Sequence, residues 1–257
     1  MIGGRRWLLI GFLAAFAALA PVRAVRAGGG DAAAAAGVTI RYLGHCSFFV
    51  SASAGASIVT DPFYERIGYP LPELTADVLT ISSADNTANN NEFFCRNDPL
   101  ILRAPGRFET AIGVVSGTRT FRDNKDGKVR GENVVFCFTL ANVRFCHLGL
   151  LGHRLGAATA REIGPVDVLF LPVGGKEAID LDTARDTVKQ LAPRVVIPMF
   201  FHTAQLRDIV GLRPVEDFLR GQRHVRRVDG SSVTLAAAEV RALDGEVVVL
   251  APPAAAP

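Results

Sequence analysis

The sequence predicts an α/β fold in which two β-sheets pack together with helices outside them, and three observations carry that prediction. Short β-rich runs crowd the first half of the chain, VTIRYL, SFFVSA and SIVT from residue 38 onward, at the close spacing of an antiparallel meander. The second half alternates strands with helical stretches, as in VDVLFLPV, a helix, then RVVIPMFF, a β-α-β order that two sheets with outer helices satisfy. At 257 residues and 49% apolar composition, the chain can bury one large core, so a single domain is expected.

Residues 1–27, MIGGRRWLLIGFLAAFAALAPVRAVRA, have a charged head (Arg5, Arg6), an apolar run from Trp7 to about Ala20, and small residues at Ala24 and Ala27. This is the pattern of an export signal that is cleaved. The apolar run is on the order of 15 residues, short of the about 20 that a spanning anchor needs. The arginine pair also fits the twin-arginine route. A periplasmic or secreted protein follows, with no membrane attachment once the signal is cleaved. Residues 28–37 read as a flexible lead, 38–250 as the domain, and 251–257 (APPAAAP) as a loose tail. The signal holds four of the 28 Lys+Arg, which leaves 24 basic against 25 acidic residues. No basic stripe remains to bind nucleic acid, and Arg220, Arg223, Arg226 and Arg227 around His224 read as a solvated face.

Within the domain, DVLTIS and TAIGVVSG follow the meander as further strands. NVVFCFTLANVRFC then reads as a hairpin turning at Ala141-Asn142. That turn sets Cys137 opposite Cys146 on a non-hydrogen-bonded pair, where α-carbons stand about 4.5 Å apart, within reach of a disulfide. Two buried free thiols are the alternative. One helix is expected near Ala158–Ile163. A second is expected over Asp182–Leu191, capped by Asp180 or Asp182, with Ala184, Val188 and Leu191 on one face and Pro193 beyond its end.

Six polar motifs sit at strand ends: YLGHCSF (42–48), TDPF (60–63), SSADNTANN (82–90), CHLGLLGH (146–153), LPVGG (171–175) and VIPMFFHT (196–203). In this order they resemble the metallo-β-lactamase superfamily, specifically metal-dependent hydrolases similar to L-ascorbate-6-phosphate lactonase. The resemblance spans Val38 to about Thr203 and implies a four-layer αββα sandwich with a metal site where strand ends converge. In that family the third motif reads His-x-His-x-Asp-His, and its imidazoles and carboxylates hold one or two divalent metals that activate a water. Here the same stretch is Ser83-Ala84-Asp85-Asn86-Thr87-Ala88, so ligand positions fall on Ser83, Asp85, Thr87 and Ala88. Two later ligand positions fall on Leu150 and Phe200, and a third on Arg122.

Asp85 alone remains a ligand type, too few for zinc. His45, Asp61, His147 and His153 match family residue types near the site, and Asp61 stands where a relative would orient a ligand. Arg122 suggests a guanidinium paired with Asp85 in place of the ion, with an exposed loop arginine as the alternative. Ser82 and Ser83 have no placed base and no nucleophile elbow, and LPVGG lacks the rest of a phosphate loop. Two functions are therefore weighed. The first is a non-catalytic pseudo-hydrolase, without a cofactor, that binds a small molecule or a protein partner in the old cleft. The second is a working zinc hydrolase whose site is rebuilt from His147, His153, His202 and Asp85.

Overall fold

The computed structural model describes residues 37–83, 88–207 and 209–254. The predicted export signal (1–27), most of the lead (28–37) and the last residues of the tail (251–257) lie outside the described residues. In chain order the strands are β1 (Gly37–Gly44), β2 (Ser47–Ala52), β3 (Ser57–Thr60), β4 (Val78–Thr80), β5 (Leu100–Leu102), β6 (Gly106–Thr110), β7 (Gly113–Phe121), β8 (Glu132–Leu140) and β9 (Val143–His147). Then come helix α1 (Ala157–Ile163), β10 (Val168–Pro172), α2 (Leu181–Leu191), β11 (Val195–Met199), α3 (Val215–Leu219), β12 (Val225–Val228), β13 (Ser232–Ala236), α4 (Ala237–Ala242) and β14 (Glu246–Leu250).

These strands form two sheets. A six-stranded sheet runs β13-β1-β2-β3-β4-β5, and an eight-stranded sheet runs β12-β14-β11-β10-β9-β8-β7-β6. Alternation assigns the faces of the first sheet, because successive side chains of a strand point to opposite sides. Val38, Ile40, Phe48, Val50, Ile58 and Val78 join the main core. Leu43, Val59, Leu79 and Ile81 instead belong to a second cluster with Phe63, Tyr69 and Phe94, so the outer side of this sheet is covered largely by the irregular segment between β3 and β5. Across the interior, Phe48 stacks on Phe170 at 4.2 Å between ring centroids, joining the two sheets.

The predicted meander holds for β1 to β3, which pair antiparallel in the expected runs. β4 and β5 then add in parallel. The second sheet continues from the antiparallel β6 to β9 into parallel pairings of β9 with β10 and β10 with β11, the β-α-β half of the prediction. The hairpin turns at Ala141 and Asn142, both with positive φ (47° and 61°), as a two-residue primed turn requires. It sets Cys137 opposite Cys146. TAIGVVSG is not one strand, because Thr110 pairs with Gly113 across a two-residue turn. Helix α2 begins one residue earlier than expected, with the Asp180 carboxylate accepting from Thr183 N at 2.7 Å, and it ends at Ala192 (φ 44°).

Candidate functional site

Several loops that follow strands meet on one edge of the sandwich. The turn after β1 brings His45, the end of β3 brings Asp61, and the segment after β4 brings Ser82 and Ser83. From the second sheet, Arg122 follows β7, His147 to Leu150 close β9, and Phe200 follows β11. Three of these non-glycine residues have left-handed backbones: His45 (φ 55°), Asp61 (φ 41°) and Phe200 (φ 52°). Such conformations are strained for side-chain-bearing residues and gather where surrounding structure enforces them, functional sites above all.

Asp61 is the hub of this edge. Its carboxylate is fully buried and accepts Ser82 N at 2.7 Å, Ser82 Oγ at 2.6 Å and Asn89 Nδ2 at 3.0 Å. Burial pushes its pKa up, against the pull of those donors and of nearby His147. His147 Nδ1 is 4.0 Å from Asp61 Oδ2, but that contact is not an ion pair. Gly149 N donates to Nδ1 at 3.2 Å, so Nε2 carries the ring proton and donates to the Cys46 carbonyl at 2.8 Å. The ring is a neutral imidazole, consistent with burial lowering its pKa.

His45 is buried with neither ring nitrogen hydrogen-bonded. It meets the Phe200 ring edge-on at 5.1 Å, and burial lowers its pKa to about 3. Its backbone carbonyl accepts from Phe200 N at 2.9 Å and Tyr42 Oη at 3.1 Å, which ties the first sheet to the end of β11. The side-chain amide of Asn133 does the same work for the β9 loop. Asn133 Nδ2 donates to Thr120 Oγ1 and the Leu148 carbonyl, and its Oδ1 accepts from Leu150 N at 2.9 Å. Neither Asn89 nor Asn133 was singled out by the motifs. The only signal available was the density of asparagine in SSADNTANNN and an asparagine leading a buried strand.

The expected ligand positions divide as follows. Ser83 is buried, and its hydroxyl is spent on the Glu132 carbonyl at 3.2 Å. Asp85 and Thr87 lie outside the described residues, and Ala88 is partly buried against the second cluster. Leu150 and Phe200 are 0% and 1% exposed and belong to the main core, so these two side chains extend the core. Arg122 is 8% exposed, not the exposed loop arginine weighed above. It donates to Glu177 Oε2 at 3.0 Å and to the Arg130 carbonyl at 3.0 Å.

The rebuilt zinc site also changes. Both nitrogens of His153 are engaged by backbone, Nε2 with Phe121 N at 3.1 Å and Nδ1 with the Arg154 carbonyl at 2.8 Å. His147 is engaged as described, and His202 is exposed at the mouth of a different cleft. Among the described residues, no three His, Cys, Asp or Glu side chains are grouped to hold a metal ion. Three or four such donors are what zinc requires. The residues described here do not fit it.

A family model described as a beta-lactamase superfamily domain matches residues 39–200. A protein of Thermococcus onnurineus named a metal-dependent hydrolase is 28% identical over 197 residues, 65% of this chain and 85% of its own. Among solved structures, a candidate Zn-dependent hydrolase of the metallo-beta-lactamase superfamily from Thermotoga maritima is 33% identical, with a TM-score of 0.66, covering 83% of this chain and 98% of that one. A metallo hydrolase from Ignicoccus hospitalis shares the fold at 19% identity and a TM-score of 0.54, covering 86% of this chain and 97% of its own. With its two-sheet αββα architecture and a family model spanning most of the domain, this chain belongs to the metallo-β-lactamase superfamily.

Proposed function

We propose that this is an exported protein of metallo-β-lactamase fold that does not run metal-centred hydrolysis and acts by binding a small molecule or a protein partner. The observation that carries the reading is the burial in the core of Leu150 and Phe200, the positions where the family resemblance implies ligands. Asp61 supports it, since both of its oxygens already accept hydrogen bonds from protein donors. A binding surface remains beside the old site. At the C-terminal ends of β11, β14 and β12 lies a cleft of about 460 Å³, lined among others by Phe201, His202, Gln205, Glu216, Arg227 and Leu250. Its size is that of ligand sites, and parallel strands commonly present such sites at their carboxyl ends.

The second reading is a metal-dependent hydrolase with a rearranged ligand set, and the names of the relatives favour it. One experiment separates the two. The protein is purified without chelator or metal-binding tag, its metal is counted by elemental mass spectrometry, and its thermal midpoint is followed with and without EDTA. A metal that binds only the folded state must stabilise it by mass action. We expect far less than one metal per chain and a midpoint unchanged within about 1 °C by chelation. About one or two zinc, manganese or iron ions per chain, with a lower midpoint on their removal, overturns the first reading and supports the second.

A further inference from the structure

Cys137 and Cys146 face each other on β8 and β9. Counting outward from the turn, Leu140 with Val143 and Phe138 with Phe145 are hydrogen-bonded pairs, while Cys137 with Cys146 is a non-hydrogen-bonded pair. Facing α-carbons in such pairs lie about 4.5 Å apart, inside the span a disulfide bridges, and the two side chains project from the same face. The thiols are free and buried at 2% and 0% exposure. The neighbouring Phe138 and Phe145 rings stack at 5.1 Å, a cross-strand contact that supports this register. Cys46 and Cys95 lie on other segments, after β1 and in the segment between β4 and β5.

We propose that this pair is the reduced form of a cross-strand disulfide, closed by exchange with a disulfide-bearing oxidant while the hairpin is still accessible during folding. One cysteine thiolate attacks a sulfur of the oxidant and forms a mixed disulfide, releasing the oxidant's other sulfur. The second cysteine, deprotonated, displaces the remaining sulfur and closes Cys137 Sγ to Cys146 Sγ. Two electrons pass to the oxidant, whose two sulfurs leave as thiols with the two protons. The bond would staple β9 one residue before His147, the side chain that holds the Cys46 carbonyl across the sheets.

The test uses the full chain, unfolded and refolded with oxidised glutathione, then denatured without reductant and alkylated with iodoacetamide. Trypsin cleaves after Arg144, so the bond would join peptide 131–144 to peptide 145–154. We expect that linked pair, with label confined to Cys46 and Cys95, and the same pair in a Cys46→Ser/Cys95→Ser variant. Label on both Cys137 and Cys146 in protein of native circular dichroism overturns the proposal. So does linkage that runs through Cys46 or Cys95 instead.

Discussion

At 1% exposure and with neither ring nitrogen hydrogen-bonded, His45 can occupy the core only as a neutral imidazole. Its folded pKa, about 3, lies below the unfolded value of 6.5. Between those values the unfolded chain binds a proton that the folded chain refuses. The stability at stake is therefore intact above pH 6.5 and is lost as pH falls towards 3, at up to about 1.4 kcal/mol per pH unit. His147 is lowered by burial and acts in the same direction. Asp61 is raised by burial and acts in the opposite one, since its folded form takes up a proton earlier. The His45 share is isolated by difference. Asn tolerates the positive φ at this position, so His45→Asn should flatten the fall in urea-derived stability between pH 7 and 4 by up to about one proton's worth. Equal slopes in both proteins would mean that His45 is protonated in the fold. This edge was only partly legible in the sequence. Asp61 stood out because TDPF is a motif, whereas Asn89 and Asn133 act through partners distant in sequence, which no spacing rule reveals.

Elements were legible where their signals are local. Helix α2 could be placed from Asp180, whose cap reaches only three residues, and from the apolar spacing behind it. The β6–β7 turn was missed because Ala111-Ile112 carries none of the usual turn residues. LPVGG reads as a weak phosphate-loop fragment, yet its first glycine has a packing reason. A Cβ on Gly174 would lie 2.1 Å from the Phe200 carbonyl oxygen. That backbone cannot yield, because Phe200 N is held by the His45 carbonyl and Val173 N by the Met199 carbonyl at 3.0 Å. Gly175, at φ 69°, has nothing within 4 Å of its Cβ position. Gly174→Ala should therefore destabilise by about 3 kcal/mol through overpacking, and Gly175→Ala by only about 1 kcal/mol through its left-handed backbone. Urea midpoints at constant m-value test the order, and equal losses would rule out close approach of β10 and β11 as the reason for the first glycine.

On the scale of the molecule, the two-sheet architecture followed from the change between meander and β-α-β halves, but nothing in the motifs announced the role of the last strands. β12 is short and half exposed, and β13 offers one buried leucine, so neither carries a strong strand signal. Both sheets depend on this region nonetheless. β13 covers the edge of β1 along five residue pairs, from Gly37 with Ala236 to Arg41 with Ser232. β14 extends the second sheet beyond β11 and carries β12 on its far side. The family model ends at residue 200, yet Leu235, Val240, Val247 and Val248 from the later segment are at most 1% exposed. A chain ending at Gly221 would lose that burial and leave β1 and β11 as long apolar edges, the kind that pair with other chains. At roughly 1.5–3 kcal/mol for each large apolar side chain no longer buried, the loss matches the whole stability of an ordinary domain. The truncated chain should therefore lack near-ultraviolet circular dichroism and a cooperative melting transition, and should aggregate. A sharp two-state melt from it would mean that residues 37–221 form a self-sufficient core and that the last three strands are an appendage.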